Sequence, residues 1–331
     1  MKSESMTEKK DNLLGKLLKN DLLRTVSILF VLCLILSIAR PQTFLTFSNL
    51  INVTSQISVN AIMVMGLFLA ILTSGINISI GSVAAFTSLI TSIMLVSENP
   101  FASSFPVALI TGLAVGALIG VIAGFFIAEL ELQPFIVTLG LQVVIRGLVM
   151  VVSGGMPVSR LGETFSFIGA RHLGPIPINV IIMMGIFVIL WYVLTHTTFG
   201  RHLYAIGGNK EAARLSGIKT KRNIYIVYII GSVTAAIAGM ILASRVNSAT
   251  PTAGIGAEMD AIAAVVIGGA SLKGGKGTIL GALIGAFIIG VLNNGLVLMD
   301  VGVFWSQVVK GAIILLAVSA DAITSRKSGK A

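Results

Sequence analysis

Charge is what this sequence has least of. Only 11% of its 331 residues are Asp, Glu, Lys or Arg, against about 25% in a typical soluble domain. Hydrophobic residues make up 55%, and mean hydropathy is +0.98. Too few charges are present to cover a water-facing surface, which excludes a soluble enzyme, a disordered chain and a peripheral membrane protein. Cysteine is nearly missing. Cys33 stands alone in an apolar run, which excludes an intrachain disulfide and leaves it a packing role. His172, His196 and His202 have no Cys or carboxylate partners at metal-ligand spacing, so neither a metal site nor a cofactor is expected. No Ser/His/Asp, Cys/His or paired-acid arrangement reads as a catalytic centre.

What the chain does have is long apolar runs. Ten can be read: 22–39, 57–74, 78–97, 106–128, 133–153, 176–195, 224–244, 259–271, 278–298 and 303–320. Most approach the roughly 20 residues that cross a bilayer as a helix. The expected fold is therefore all-α, a polytopic helical bundle of about ten transmembrane helices. A cytoplasmic segment 1–21 precedes the membrane domain 22–320, and a cytoplasmic tail 321–331 follows it. The first run also has a small-x-small site at Ser37-Ile38-Ala39. The polar stretch before it and the many later spans favour a retained anchor over a cleaved signal.

The excess of positive charge, formally +10, lies in the short segments between runs. On a soluble protein it would suggest nucleic acid, but here it sets topology. With both termini in the cytoplasm, seventeen of the 23 Lys and Arg residues fall on the inner side and four on the outer. Arg146 and Lys310 lie within spans. Such an imbalance fits a multi-pass protein of the cell membrane with lipid as its surroundings.

Glycine is abundant inside the runs. Gly112, Gly116, Gly120 and Gly124 recur every four residues, as do Gly277, Gly281 and Gly285; bare positions on one helical face let backbones approach closely. Two polar interruptions are expected to be broken or re-entrant segments, near 74–81 and 258–277, with Asn77 and Ser79 in the first. Irregular backbone at membrane depth must be buried in protein or line a wet cavity; a tight surface turn is the other reading of each. The second interruption, Gly268 to Gly277, nearly spells a phosphate-binding loop. Counted from Gly269 the lysine is missing, and counted from Ala270 the first glycine is lost and Gly277 replaces the hydroxyl residue, so the chain has no nucleotide site of its own.

Arg146 and Lys310 are the two charges within spans. A charge at the helix centre costs about 2.5–3.5 kcal/mol on insertion scales and must find protein or water. They either line a solute path and fix its broken helices, or cap carbonyls as structural groups. Asn60, Asn77, Asn293 and Asn294 supply amides that suit neutral, hydroxyl-rich solutes or bridge helices. No acid lies well inside a span; Glu258 and Asp260 come closest, at the outer start of the eighth. That lack argues against proton or ion coupling.

The longest inner connection runs from 196 to 223. Within it Gly207, Gly208, Asn209, Glu211, Ala212, Ala213, Arg214, Ser216 and Gly217 surround a short helix, capped by Asn209, with Glu211 in its first turn and Gly217 as its stop. Such a helix can dock on a partner or simply hold topogenic charge. At this point the residues become recognisable. The stretches SVNAIMVMGLFLAILTSGINISIGS (58–82), FGRHLYAIGGNKEAARLSGI (199–218) and PTAGIGAEMDAIAAVVIGGASLKGGKGTILGALIGAFIIGVLNNGLVLM (251–299) resemble the membrane permease subunits of ribose-type ABC importers, within the sugar and branched-chain amino-acid permease family. The similarity runs from about 42 to 320.

The resemblance implies a non-enzymatic permease that pairs with a second permease copy or a paralogue around a central path. It implies a separate cytoplasmic ATPase subunit and an extracytoplasmic sugar-binding protein, and it makes 207–218, within the loop 199–222, the coupling helix that docks on the ATPase. One departure stands out: the family often has Asp where this chain has Asn77, which weakens any carry-over of ribose preference. The other readings are an autonomous facilitator or channel for small polar solutes and, less well supported, an intramembrane enzyme.

Overall fold

The computed structural model describes residues 21–302, 304–313 and 315. The expected terminal segments 1–21 and 321–331, apart from Asp21, and the far end of the tenth run lie outside the described residues. In chain order the helices are α1 (Asp21–Ala39), α2 (Pro41–Phe44), α3 (Phe47–Leu72), α4 (Ile80–Leu95), α5 (Phe105–Ala128), α6 (Pro134–Ser153), α7 (Glu163–Gly169), α8 (Ile178–His196), α9 (Thr198–Gly208), α10 (Lys210–Leu215), α11 (Thr220–Val246), α12 (Ala257–Ile267) and α13 (Ile279–Leu298). Residues 304–313 are helical as well. Among the described residues seven helices are long and apolar enough to cross a membrane: α1, α3, α5, α6, α8, α11 and α13. The protein is an all-α polytopic membrane bundle.

Its centre is α3. From Ala61 to Leu72 every residue is buried, so other helices surround the inner half of α3. The expected span 57–74 is corrected: the helix begins at Phe47, capped by the Thr46 hydroxyl, which accepts from Asn49 N–H. Asn49, Asn52 and Gln56 made that first part look like a loop. Against α3 lies α11, which also packs on α4 and α5. The first glycine ladder is the seam between α5 and α11. A Cβ at Gly120 would stand 2.6 Å from Ile229 Cα, and one at Gly116 2.8 Å from Ala236 Cβ. The second ladder seats α13 on α12, although Gly277 precedes α13 and sits in the loop at φ +127°.

Pro106, second in α5, and Pro134, first in α6, lie in the opening turns of their helices, where a missing N–H costs nothing. Gly154 in the left-handed region ends α6. Four two-residue strands decorate one end of the bundle: Val158–Ser159 pairs with Ser248–Ala249, and His172–Leu173 with Ile176–Pro177. There α7 rests on α11 through Ser244, whose hydroxyl donates to Phe165 O (2.5 Å) and accepts from Gly169 N–H (2.9 Å).

The eighth run is shorter than expected. α12 has 11 residues and rises about 16 Å, roughly half the hydrocarbon thickness. In the segment expected to be broken or re-entrant near 258–277, 257–267 is a short regular helix, and irregular backbone flanks it at 250–256 and 268–278. The first break occupies 73–79, with Ile80 and Gly81 already helical.

Because the α5–α11 seam admits no side chain, Gly120→Leu should sharply lower the yield and melting temperature of detergent-extracted protein. Gly147→Leu, at a glycine with nothing within 4 Å, should leave both near wild type. Equal behaviour of the two in a thermal-shift assay would contradict this packing.

Candidate functional site

Two polar assemblies organise the bundle. The first lies at the end opposite the strands. Asn209 Oδ1 accepts from Ala212 N–H at 2.9 Å and starts α10. At its other end Gly217 N–H donates to Arg214 O (3.0 Å) and Ile218 N–H to Ala213 O (3.1 Å), with Gly217 at φ +85°; this is the Schellman pairing that a glycine stop favours. Gly207 and Gly208 close α9 rather than belonging to the short helix. Only Ala213 of α10 faces inward, while Lys210, Glu211, Ala212, Arg214 and Leu215 are exposed, with Ser216 and Gly217 after them. Glu211 and Arg214 pair at 3.0 Å on that surface, which contributes little to stability in water. A cavity of about 820 Å³ opens beside it, between α10 and the turn after α5. There Lys221 reaches Glu129 at 2.7 Å.

From this surface the contacts lead inward. Gly207 packs on the carbonyl of Leu72 and the backbone of Gly275, where a Cβ would have no room. Ser74, at φ +63°, aims its hydroxyl at Lys273 O (2.8 Å) and Gly207 O (3.1 Å). Gly275 N–H donates to Leu72 O at 2.9 Å, and the Tyr204 hydroxyl donates to Gly277 O at 2.9 Å. Burial pushes the Tyr204 phenol above its ordinary value, which keeps it a donor. The loop 199–222 and both breaks are thus hydrogen-bonded into one junction.

Within the first break Asn77 is buried. Its Oδ1 accepts from Ser79 N–H (3.2 Å) and from the Ser79 hydroxyl (2.7 Å). Thr138 of α6 bridges the break, accepting from Ile78 N–H at 3.2 Å and lying 2.9 Å from Ile76 O. Side chains therefore satisfy a backbone that lipid could not. A neutral amide at 77 supplies the acceptor without burying a charge.

The second assembly surrounds the first turn of α12. Arg146 donates from Nη1 to Pro251 O (2.9 Å) and Ala253 O (2.8 Å), holding the irregular strand that leads into α12. Glu258 is buried, and its Oε1 accepts from Gln142 Nε2 at 3.1 Å. Asp260 Oδ2 accepts from Lys310 Nζ (3.1 Å) and Asn293 Nδ2 (3.3 Å). The expectation that no acid lies well inside a span is corrected. Gln142 stands mid-way along α6, and α12 begins at that depth because 250–256 enters the bundle before the helix forms. Both carboxylates then gain from the partial positive charge of the helix N-terminus.

The remaining predicted residues are dispersed. Asn294 exchanges amide hydrogen bonds with Asn49 at 3.1 and 3.3 Å. Asn60 is half-buried at the middle of α3. Thr138, Asn179 and Tyr204 were not singled out. Asn179 donates to Ser55 Oγ at 2.7 Å. The only available signal for these was a lone polar residue in or beside an apolar run. Among the described residues no group of three or more His, Cys, Asp or Glu converges.

The family model described as the branched-chain amino acid transport system permease component matches residues 49–318. The chain is 46% identical over 299 residues to the ribose import permease protein of Escherichia coli (strain K12), covering 88% of this chain and 91% of that one. The ribose import permease of Bacillus subtilis (strain 168) is 45% identical over 296 residues, covering 88% and 90%. The D-allose transport system permease protein of Escherichia coli (strain K12) is 39% identical over 302 residues, covering 90% and 91%. No solved structure matches the chain.

Removing the Arg146 guanidinium strands two carbonyls inside the bundle, each costing about 1–3 kcal/mol. Arg146→Ala should therefore lower the amount of assembled protein more than it alters solute affinity. Recovery of a stable complex with a changed solute preference would reverse that assignment.

Proposed function

The chain belongs to the permease-component family of branched-chain amino acid transport systems, and on that footing we propose that it is the membrane-spanning permease subunit of an ATP-driven sugar importer. It carries a neutral monosaccharide, ribose or a similar sugar, delivered by an extracytoplasmic binding protein. ATP hydrolysis belongs to a separate cytoplasmic subunit, so the permease itself is not an enzyme. Its domain spans 22–320 in ten crossings, between cytoplasmic segments 1–21 and 321–331. The seven long helices are joined in this count by α4, by α12 with its flanking strands, and by the helix containing 304–313. Both termini face the cytoplasm, and a second permease, identical or paralogous, completes the path.

One observation carries the mechanism: the exposed helix α10 begins three residues after a glycine, Gly207, that touches both breaks at once. In this reading the ATPase grips Lys210–Leu215 together with Gly207, Gly208, Ser216 and Gly217 of the loop 199–222. Closure of the nucleotide-bound ATPase pair pushes α10. The push passes through Gly207 to Leu72 and Ser74 on one side and to Lys273 and Gly275 on the other. Both broken segments then shift together, and the path opens alternately to the two faces of the membrane. Asn77, Ser79 and Arg146 hold the irregular segments in shape, and Lys310 and Asn293 hold α12 through Asp260. Asn60 and Asn294 lie along α3 and α13, on the route of the solute.

Gly217 occupies a backbone conformation that proline, fixed near φ −65°, cannot adopt. In cells expressing the whole importer, Gly217→Pro and Glu211→Lys should each abolish uptake of labelled sugar while membrane levels of the permease stay normal. Uptake at the wild-type rate in either variant would refute the docking role of α10.

A further inference from the structure

The surface of α3 changes character half-way along. Between Ile51 and Leu72 the only exposed residues are Asn52 and Gln56, and Asn60 is half-buried one turn further in. The three recur at four-residue spacing, so their amides lie on one face about 6 Å apart along the axis. Among the described residues none of the three side chains has a hydrogen-bond partner. Their depth is substantial. α3 has 26 residues, about 39 Å of helix, with Asn60 at its midpoint and Gln56 one turn toward the outer end.

Lipid does not tolerate bare amides at that depth, because hydrocarbon leaves their donors and acceptors unmet. Elsewhere the chain obeys this rule. The exposed positions of α1 include Phe30, Val31, Ile35 and Ile38, and those of α6 include Val143, Val144, Leu148 and Val151. Phe47 and Leu50 are exposed in the first turn of α3, but from Ile51 onward a helix that is otherwise enclosed by protein shows the outside only amides, and that stretch faces water rather than lipid.

We infer that Asn52, Gln56 and Asn60 form a ladder of neutral hydrogen-bonding rungs along the wall of the translocation path, taking a polyhydroxylated, uncharged solute from the outer mouth to mid-membrane. The inference rests on the sugar-importer reading and adds to it the residues that touch the cargo. Each amide both donates and accepts, so it can meet a sugar hydroxyl in either role. A rung spacing near the width of a pyranose or furanose ring lets one amide engage before the last is released. Neutral rungs bind weakly, as a path must if the solute is to leave.

The test uses the full importer in proteoliposomes, with ATPase and binding protein, in a Cys33→Ala background. Gln56→Cys should react with an impermeant cationic methanethiosulfonate at least about tenfold faster than Val144→Cys, because reaction needs the thiolate and the thiolate needs water. Equal rates, or a spontaneous disulfide between the Gln56→Cys positions of two permease copies, would overturn the inference by placing the stripe against lipid or against the second copy. Labelled ribose, allose and galactose serve as transport probes. Gln56→Leu should cut uptake of whichever sugar the unmodified importer carries by about tenfold, with wild-type recovery of the assembled complex, and Gln56→Asn should restore most of it. Normal uptake by Gln56→Leu would also sink the ladder. If the unmodified importer carries none of the three sugars, the failure lies with the sugar reading, and the thiol rates still decide whether the stripe is wet.

Discussion

Hydrocarbon offers no hydrogen bonds, and this structure is shaped by that refusal. Wherever the backbone leaves the helix inside the bundle, a side chain or another strand of backbone meets it. Asn77 and Thr138 meet the first break, Arg146 meets the strand leading into α12, and Leu72 and Ser74 meet the loop after it. The groups that do this come from segments far apart in the chain. Satisfying the breaks and folding the bundle are therefore the same event.

The same requirement joins function to architecture. A permease needs backbone that can change shape near the path, yet such backbone is intolerable in lipid unless it is fully partnered. Hydrogen bonds and close packing tie the two breaks to each other and to Gly207. In the proposed docking of an ATPase on α10, a single contact would reach both breaks through Gly207. The glycine seams between α5 and α11 and between α12 and α13 hold the surrounding helices in close backbone contact. Close packing of this kind transmits displacement rather than absorbing it.

Much of this was legible in the sequence, and the rest failed for identifiable reasons. The run at 133–153 matches α6 to within a residue because Pro134 and Gly154 mark its ends locally. The run at 57–74 missed the first ten residues of α3 because Asn49 reads as a loop residue. Its partner Asn294 is 245 positions away, beyond any local pattern. Glu258 and Asp260 read as surface acids because each lies close to the start of an apolar run, and only the entry of 250–256 into the bundle buries them. Gly207 was named for its place in the loop, but its contact with Leu72 and Gly275 is a property of three segments together. Composition and periodicity record which residues can be buried; they do not record which buried residues meet.

The ion pair between Asp260 and Lys310 bears on how the protein is made. The two residues are separated by 50 positions, and α12 precedes the helix that carries Lys310. An ammonium entering lipid alone faces a barrier that its counter-ion removes. Lys310 therefore settles at its depth in the bundle only with α12 beside it to supply Asp260.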